Sequence, residues 1–134
     1  MSNKSIVFSN FNKIYFIFLD FIKKHMNNDS KFNTFYLKNK ILKQTNVKLI
    51  IKTWQNRITR VYYNQIVNRD LDFFLNKSYN EDIISNTTGE SNETILYYIS
   101  NFKSIYPTLE SSIQNSFVDY IVQLTELSFL YFKE

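Results

Sequence analysis

The chain has 134 residues, no cysteine, one glycine and a formal net charge of +4. This length fits a single domain, residues 1–134, with a sizeable core. The lack of cysteine excludes disulfides and thiolate metal sites, which fits a reducing, intracellular compartment. The single glycine excludes glycine-rich phosphate-binding loops.

The N-terminal segment predicts a buried helix over Ser5–Met26, rich in Phe and Ile. Its longest unbroken apolar run, Ile14–Leu19, is far shorter than the roughly 20 residues of a membrane span. We therefore predict no transmembrane segment, with a helix lying on a membrane surface as the alternative.

Two further helices are predicted in the basic part of the chain. Asp29 or Ser30 can cap a helix over Lys31–Lys43, and Thr45 or Asn46 can cap a longer one that runs to about Asn68. At 100° per residue, one apolar face of the longer helix gathers Ile50, Ile51, Trp54, Ile58, Val61 and Tyr62.

The C-terminal half also predicts helices and turns. Asp70 can cap a single turn that directs Phe73 and Phe74 into the core. The other expected elements are a turn over Glu81–Ser85 capped by Asn80, a loop at Asn86–Gly89, a helix from Ser91 or Asn92 to about Tyr106, and a last helix over Thr108–Phe132 after Pro107. The predicted fold is all-α, a compact single-domain bundle of about five main helices plus short helical turns.

The charges are segregated along the chain. All nine charged side chains from Ser30 to Arg69 are positive, whereas Asp70 to Glu134 carries ten acids against three lysines. Either the two halves face each other, or the basic stretch faces an acidic partner.

Residues for catalysis are sparse. The one histidine, His25, follows two lysines near a predicted helix end, where a cation suits the helix dipole. Asp70, Asp72, Glu81 and Asp82 form close acidic pairs that suit capping and surface charge better than a cation site. We therefore predict no enzyme, no metal and no cofactor.

Basic side chains interleaved with aromatic ones give the chain its clearest binding signal. Phosphate contacts need cations on one face, and unpaired bases stack on exposed rings. The candidate nucleic-acid-binding residues are Lys38, Lys40, Lys43, Lys48, Lys52, Arg57, Arg60 and Tyr63. Trp54 and Tyr62 fall on the apolar side, which leaves Tyr63 as the ring expected to be exposed.

The middle of the chain resembles a known pattern. A run that starts at Trp54 in the predicted long helix continues through an aromatic-x-x-x-Ile step to Ile66, then Asp70-x-x-Phe73-Phe74 and Lys77-x-Tyr79. This pattern, over about residues 50–82, is similar to small helical proteins of large nucleocytoplasmic DNA viruses. The resemblance implies a viral origin, a helical fold and a role in the virion or virus factory. It carries no catalytic residues.

Two functions from different classes are expected. The first is a non-enzymatic structural or protein-interaction protein that binds other subunits or itself, in the host cytoplasm or in a virion. The second is a nucleic-acid-binding protein that uses Ser30–Arg69. The two differ in whether the acidic half neutralises the basic face.

Overall fold

The computed structural model describes residues 3–25, 30–76 and 103–133, and every regular element in these ranges is helical. The all-α prediction is confirmed. The elements in chain order are α1 (Asn3–His25), α2 (Ser30–Thr45), α3 (Lys48–Trp54), a π-helical turn (Gln55–Thr59), α4 (Arg60–Val67), α5 (Leu71–Asn76), a 3-10 turn (Tyr106–Thr108) and α6 (Ser111–Lys133).

The two longest helices, α1 and α6, form the antiparallel base of the bundle. The Phe8 ring at the start of α1 lies 5.4 Å from the Tyr131 ring at the end of α6. Phe18, near the other end of α1, lies 5.5 Å from Phe117 near the start of α6. Both helices repeat large apolar residues at three- and four-residue steps, so each presents a continuous stripe to the other.

Trp54 at the end of α3 joins this pair to the rest of the bundle. Its ring meets Phe11, Tyr15 and Phe18 of α1 edge-on, at centroid distances of 6.2, 6.3 and 6.4 Å. Its indole Nε1 donates to Thr125 Oγ1 of α6 at 3.1 Å. Edge-to-face ring contacts and a satisfied indole N–H are how a buried tryptophan is stabilised.

The second helix, α2, lies against α1 through two tyrosines. Tyr15 Oη of α1 donates to Asn39 Oδ1 of α2 at 2.7 Å, in a buried position. Tyr36 Oη of α2 donates to Asp20 Oδ1 of α1 at 2.5 Å, near the surface. These bonds fix α2 beside α1 while its other side faces α3.

The expected caps between α2 and α3 are wrong. Thr45 turns its hydroxyl back to the Ile41 carbonyl oxygen at 2.9 Å, and Val47 precedes α3 with no side-chain cap bond. Backbone bonds from Leu49 N to Asn46 O and from Ile50 N to Val47 O close the first turn instead. Backbone carbonyl oxygens thus accept the hydrogen bonds at the start of α3 that we expected a polar side chain to accept.

The predicted apolar face of the third helix is wrong in its second half. Val61 is 54% exposed, whereas Thr59 is only 2% exposed. The cause is the π-helical turn, in which the Arg60 N–H bonds to the Gln55 carbonyl oxygen five residues earlier. Because this turn contains one extra residue, the buried face of the later part of the helix is formed by residues one position further along the chain than predicted. Tyr62 then departs from helical geometry, with φ −123° and ψ 16°.

The short α5 is capped as predicted but packs elsewhere. The Phe73 N–H donates to Asp70 Oδ1 at 3.2 Å, which confirms the cap. Phe73 is nevertheless exposed and Phe74 half-buried, because both rings pack on Tyr62, at 6.2 and 5.4 Å, and not in the core of α1 and α6.

The remaining predictions divide between described and undescribed residues. Pro107 is the second residue of the 3-10 turn, and the last helix starts at Ser111, close to the predicted Thr108. The expected turn at residues 81–85, the loop at residues 86–89 and most of the helix before Tyr106 lie outside the described residues.

Helix α1 is long and apolar enough to cross a membrane by length and composition, which our estimate from its longest apolar run missed. In the bundle its inner face is core, since Phe11, Tyr15, Phe16, Phe18 and Leu19 are buried.

Candidate binding face and interhelical groove

The eight candidate binding residues do not form one face, because two lysines of α2 turn toward α1. Lys40 Nζ lies 5.1 Å and Lys43 Nζ lies 5.0 Å from the centre of the Phe16 ring. Lys40 Nζ also lies 5.2 Å from the Tyr36 ring. Such cation–π contacts are structural and hold these two charges over the seam between α1 and α2.

Three other cations surround a groove between α2 and α3. Lys38 of α2, Lys52 of α3 and Arg57 of the π turn all line it, and its volume is about 710 Å³. Lys38 and Lys52 are exposed, whereas Arg57 is half-buried. The sequence placed these cations in one stretch, but only the packing of α2 on α3 brings them to one opening.

A third arrangement is a row of cations along the outer side of α3 and α4. Lys48, Lys52 and Arg60 are all exposed. In a regular helix the eight residues from Lys52 to Arg60 would separate them by about 80° around the axis. Because the π turn accommodates one extra residue, the step from Lys52 to Arg60 is equivalent to seven residues of regular helix, which is nearly two full turns. Arg60 therefore lies in line with Lys52. We call Lys48, Lys52 and Arg60 the outer basic row.

The predicted stacking ring is not fully open to solvent. Tyr63 is half-buried, and its ring lies 4.8 Å from that of Phe129 on α6. Phe129 itself is 41% exposed. A base would therefore meet the edge of a packed pair at this position and not an isolated ring.

Among the described residues, one ion pair joins the basic half of the chain to the acidic half. Arg69 Nη1 lies 2.8 Å from Asp119 Oδ1 of α6, and both side chains are about half exposed. The outer basic row forms no ion pair with any described residue. Glu110 and Glu126 are exposed on or beside α6. In this part of the chain, α6 therefore does not neutralise the row.

Among the described residues, the candidate catalytic and metal residues do not come together, and Glu81 and Asp82 lie outside this part of the chain. The His25 ring packs on Phe21 at a centroid distance of 4.7 Å, at the end of α1 where we expected it. Across residues 3–25, 30–76 and 103–133, no three His, Cys, Asp or Glu side chains come together as metal ligands would.

The buried polar residues were missed by the sequence analysis. Thr59, Thr125 and Ser128 are nearly inaccessible, and the Thr59 and Ser128 hydroxyl oxygens lie 2.5 Å apart. Because Ser128 Oγ donates its single hydrogen to the Thr125 carbonyl oxygen at 3.0 Å, the Thr59 hydroxyl is the donor to Ser128. The three-residue step from Thr125 to Ser128 within an apolar helix was the available signal.

The floor of the groove was also missed. Asn39 is buried at 6% exposure, accepts from Tyr15 and donates through Nδ2 to the Phe35 carbonyl oxygen at 2.9 Å. Burial raises the pKa of the Tyr15 hydroxyl, so that it stays protonated at neutral pH.

Comparison with protein-family models, curated proteins and solved structures finds no match for this chain.

Proposed function

We propose that this chain is a non-enzymatic protein-interaction component that self-associates through its outer basic row. One observation carries the proposal. Lys48, Lys52 and Arg60 are exposed in a line and form no ion pair with a described residue. A second copy offers the opposite charge, because its C-terminal half has ten acids and three lysines.

Exposed apolar side chains favour the interpretation that the protein binds a partner, and not that its surface contacts only solvent. Leu37 is 61% and Ile41 is 62% exposed on α2, and their four-residue spacing places them one above the other on the helix. Charges steer encounter and set orientation, whereas buried apolar contacts supply most of the affinity. Leu37 and Ile41 lie on α2 and the outer basic row lies on α3 and α4, so they are two separate exposed features that a partner can contact.

The setting that belongs to this proposal is intracellular, in the host cytoplasm or in a virion. Its support is the resemblance over about residues 50–82 and the absence of cysteine from the chain.

Sedimentation velocity across a salt series tests the proposal. Wild type should associate at low micromolar concentration and dissociate as salt screens the charges. The variant Lys48→Gln/Lys52→Gln/Arg60→Gln should remain monomeric. Lys13→Gln/Lys24→Gln/Lys133→Gln removes the same charge from exposed sites elsewhere and should associate like wild type. A monomeric wild type, or equal loss in both variants, contradicts the proposal.

A nucleic-acid-binding function is the second candidate, favoured by the alignment of the same row. Phosphate binding needs cations on one side of a helix, and the π turn brings Lys48 and Lys52 of α3 into line with Arg60 of α4. Duplex and single-stranded DNA should then bind with an affinity that falls steeply with salt. The triple glutamine variant should reduce the slope of log K against log salt by up to about 3 units. No binding at low salt would exclude this function.

A further inference from the structure

The groove between α2 and α3 has the size of a small-molecule site. Its volume is about 710 Å³, within the range of roughly 300–1,000 Å³ that ligand pockets occupy. Both helices contribute apolar side chains to it: Phe35, Leu42, Leu49, Ile50 and Ile58. Sites between the helices of a bundle are common places for ligands.

The polar side chains on the floor of the groove form hydrogen bonds within the protein. Tyr15 and Asn39 lie there, and they bond to each other at 2.7 Å. Asn39 Nδ2 donates to the Phe35 carbonyl oxygen, so both heteroatoms of this amide have protein partners. An apolar chain can therefore cover the floor while Asn39 Oδ1 and one Nδ2 hydrogen keep their protein partners.

The charges around the groove have one sign. Lys38, Lys52 and Arg57 line it, and no carboxylate does so among the described residues. Cations that line one opening attract an anion placed among them. The planar guanidinium of Arg57 matches the geometry of a carboxylate.

We propose that this groove binds a single-chain fatty carboxylate. The acyl chain lies along Phe35, Leu42 and Ile50, and the carboxylate lies between Lys52 and Arg57. This site shares Lys52 with the outer basic row, but its apolar part faces the space between α2 and α3. Leu37 and Ile41 lie on the far side of α2 from the residues of α2 that line the groove.

The chain carries its own reporter for this ligand. Trp54 is the single tryptophan and lines the groove. Titration with sodium laurate below its micellar concentration should change the fluorescence of Trp54 in a saturable manner. Dodecan-1-ol and dodecyltrimethylammonium have the same chain length without the negative charge, so they should bind at least about tenfold more weakly.

Variants decide whether the groove is the site. Lys52→Gln/Arg57→Gln should weaken laurate binding by about tenfold or more and leave the binding of dodecan-1-ol unchanged. Lys13→Gln/Lys24→Gln has the same charge change on the outer side of α1 and should bind laurate like wild type.

Three outcomes would overturn the proposal. The first is a fluorescence response to laurate that does not saturate. The second is equal binding of laurate, dodecan-1-ol and dodecyltrimethylammonium. The third is an equal effect of Lys52→Gln/Arg57→Gln and Lys13→Gln/Lys24→Gln on laurate binding. Binding of the protein to phosphatidylglycerol vesicles provides a further test. Binding to these vesicles without saturable binding of monomeric laurate would assign the basic groove to a membrane surface, and it would also overturn the proposal.

Discussion

At the scale of single residues, Arg69 takes a backbone conformation that usually belongs to glycine. Its φ of 58° is left-handed, and it stands two residues after the end of α4. The Arg69 N–H bonds to Ile66 O and the Asp70 N–H to Gln65 O, both at 2.9 Å, which is a Schellman motif. The side chain then reaches Asp119, fifty residues away, and ties the end of α4 to α6.

Replacing Arg69 separates the two roles. Arg69→Ala loses the ion pair and keeps the left-handed backbone cost, whereas Arg69→Gly loses the ion pair and removes that cost. The glycine variant should therefore be more stable than the alanine variant by about 1 kcal/mol. An exposed ion pair contributes only about 0–1 kcal/mol, so Arg69→Gly should unfold close to wild type.

Urea denaturation measures this difference, and Arg60 provides the control. Arg60 has a right-handed helical backbone, with φ −61° and ψ −32°. There the order should reverse, with Arg60→Gly less stable than Arg60→Ala by about 1 kcal/mol. Equal stabilities of the two Arg69 variants would show that the left-handed backbone carries no cost.

The buried Tyr15 hydroxyl predicts a loss of stability at high pH. Its pKa is raised by burial in the folded chain, whereas in the unfolded chain it is about 10. A raised folded-state pKa gives a contribution that is fully present below the unfolded pKa and is lost as pH rises above it. Above pH of about 10, Tyr15 should reduce the free energy of unfolding by about 1.4 kcal/mol per pH unit.

Denaturation midpoints from pH 8 upward, in wild type and Tyr15→Phe, test this prediction. The variant should be less stable at pH 8, by about 1–3 kcal/mol, because Asn39 Oδ1 loses its donor. Its decline above pH 10 should be shallower. Tyr36, through its bond to Asp20, and Tyr106, through burial, also have raised pKa values and contribute equally in both proteins. Parallel declines would refute the role of Tyr15.

At the scale of elements, the π turn decides which residues of the third helix are buried. The buried side chains Ile50, Trp54, Thr59 and Ile66 follow steps of four, five and seven residues. The step of five is the π turn, and without it the series would fit a regular helix. We therefore predict that the turn contains one removable residue.

Deletion of the exposed Asn56 should convert the π turn to a regular helix and keep these four residues in register. Deletion of Asn64, which is also an exposed asparagine but lies in α4, should rotate Ile66 by about 100° out of the core. Thermal unfolding followed by circular dichroism should place the Asn56 deletion within a few degrees of wild type and the Asn64 deletion far below. Similar losses in both would contradict this account.

The same element shows what a sequence can and cannot predict. The helical class, the long helix to Asn68 and the cap at Asp70 follow from periodicity and local hydrogen-bonding preference. The π turn does not, because no residue type in Gln55–Thr59 distinguishes it from regular helix, so Val61 was misplaced. The groove depends on how α2 lies against α3, and that depends on packing over distances that a local pattern does not contain.

At the scale of the whole molecule, the outer basic row and three described acids of the C-terminal half lie on different elements. The outer basic row lies on α3 and α4, whereas Glu110, Asp119 and Glu126 lie on or beside α6. A contact between two unlike surfaces of one molecule is head-to-tail and not twofold symmetric. Each open complex then retains one unsatisfied surface of each sign unless a ring closes.

This arrangement makes the behaviour of a mixture diagnostic. A chain with a reversed row, Lys48→Glu/Lys52→Glu/Arg60→Glu, cannot use that row toward acids but still presents its acidic surface. It should be unable to associate with itself through the row, and it should still accept the row of a wild-type copy.

The most direct measurement is sedimentation velocity of wild type, of the reversed-row variant and of their equimolar mixture at low salt. We predict association of wild type, a monomeric variant, and a mixture in which the variant sediments in complexes with wild type. A monomeric wild type, or a variant that stays monomeric beside associating wild type, would contradict head-to-tail binding through the outer basic row.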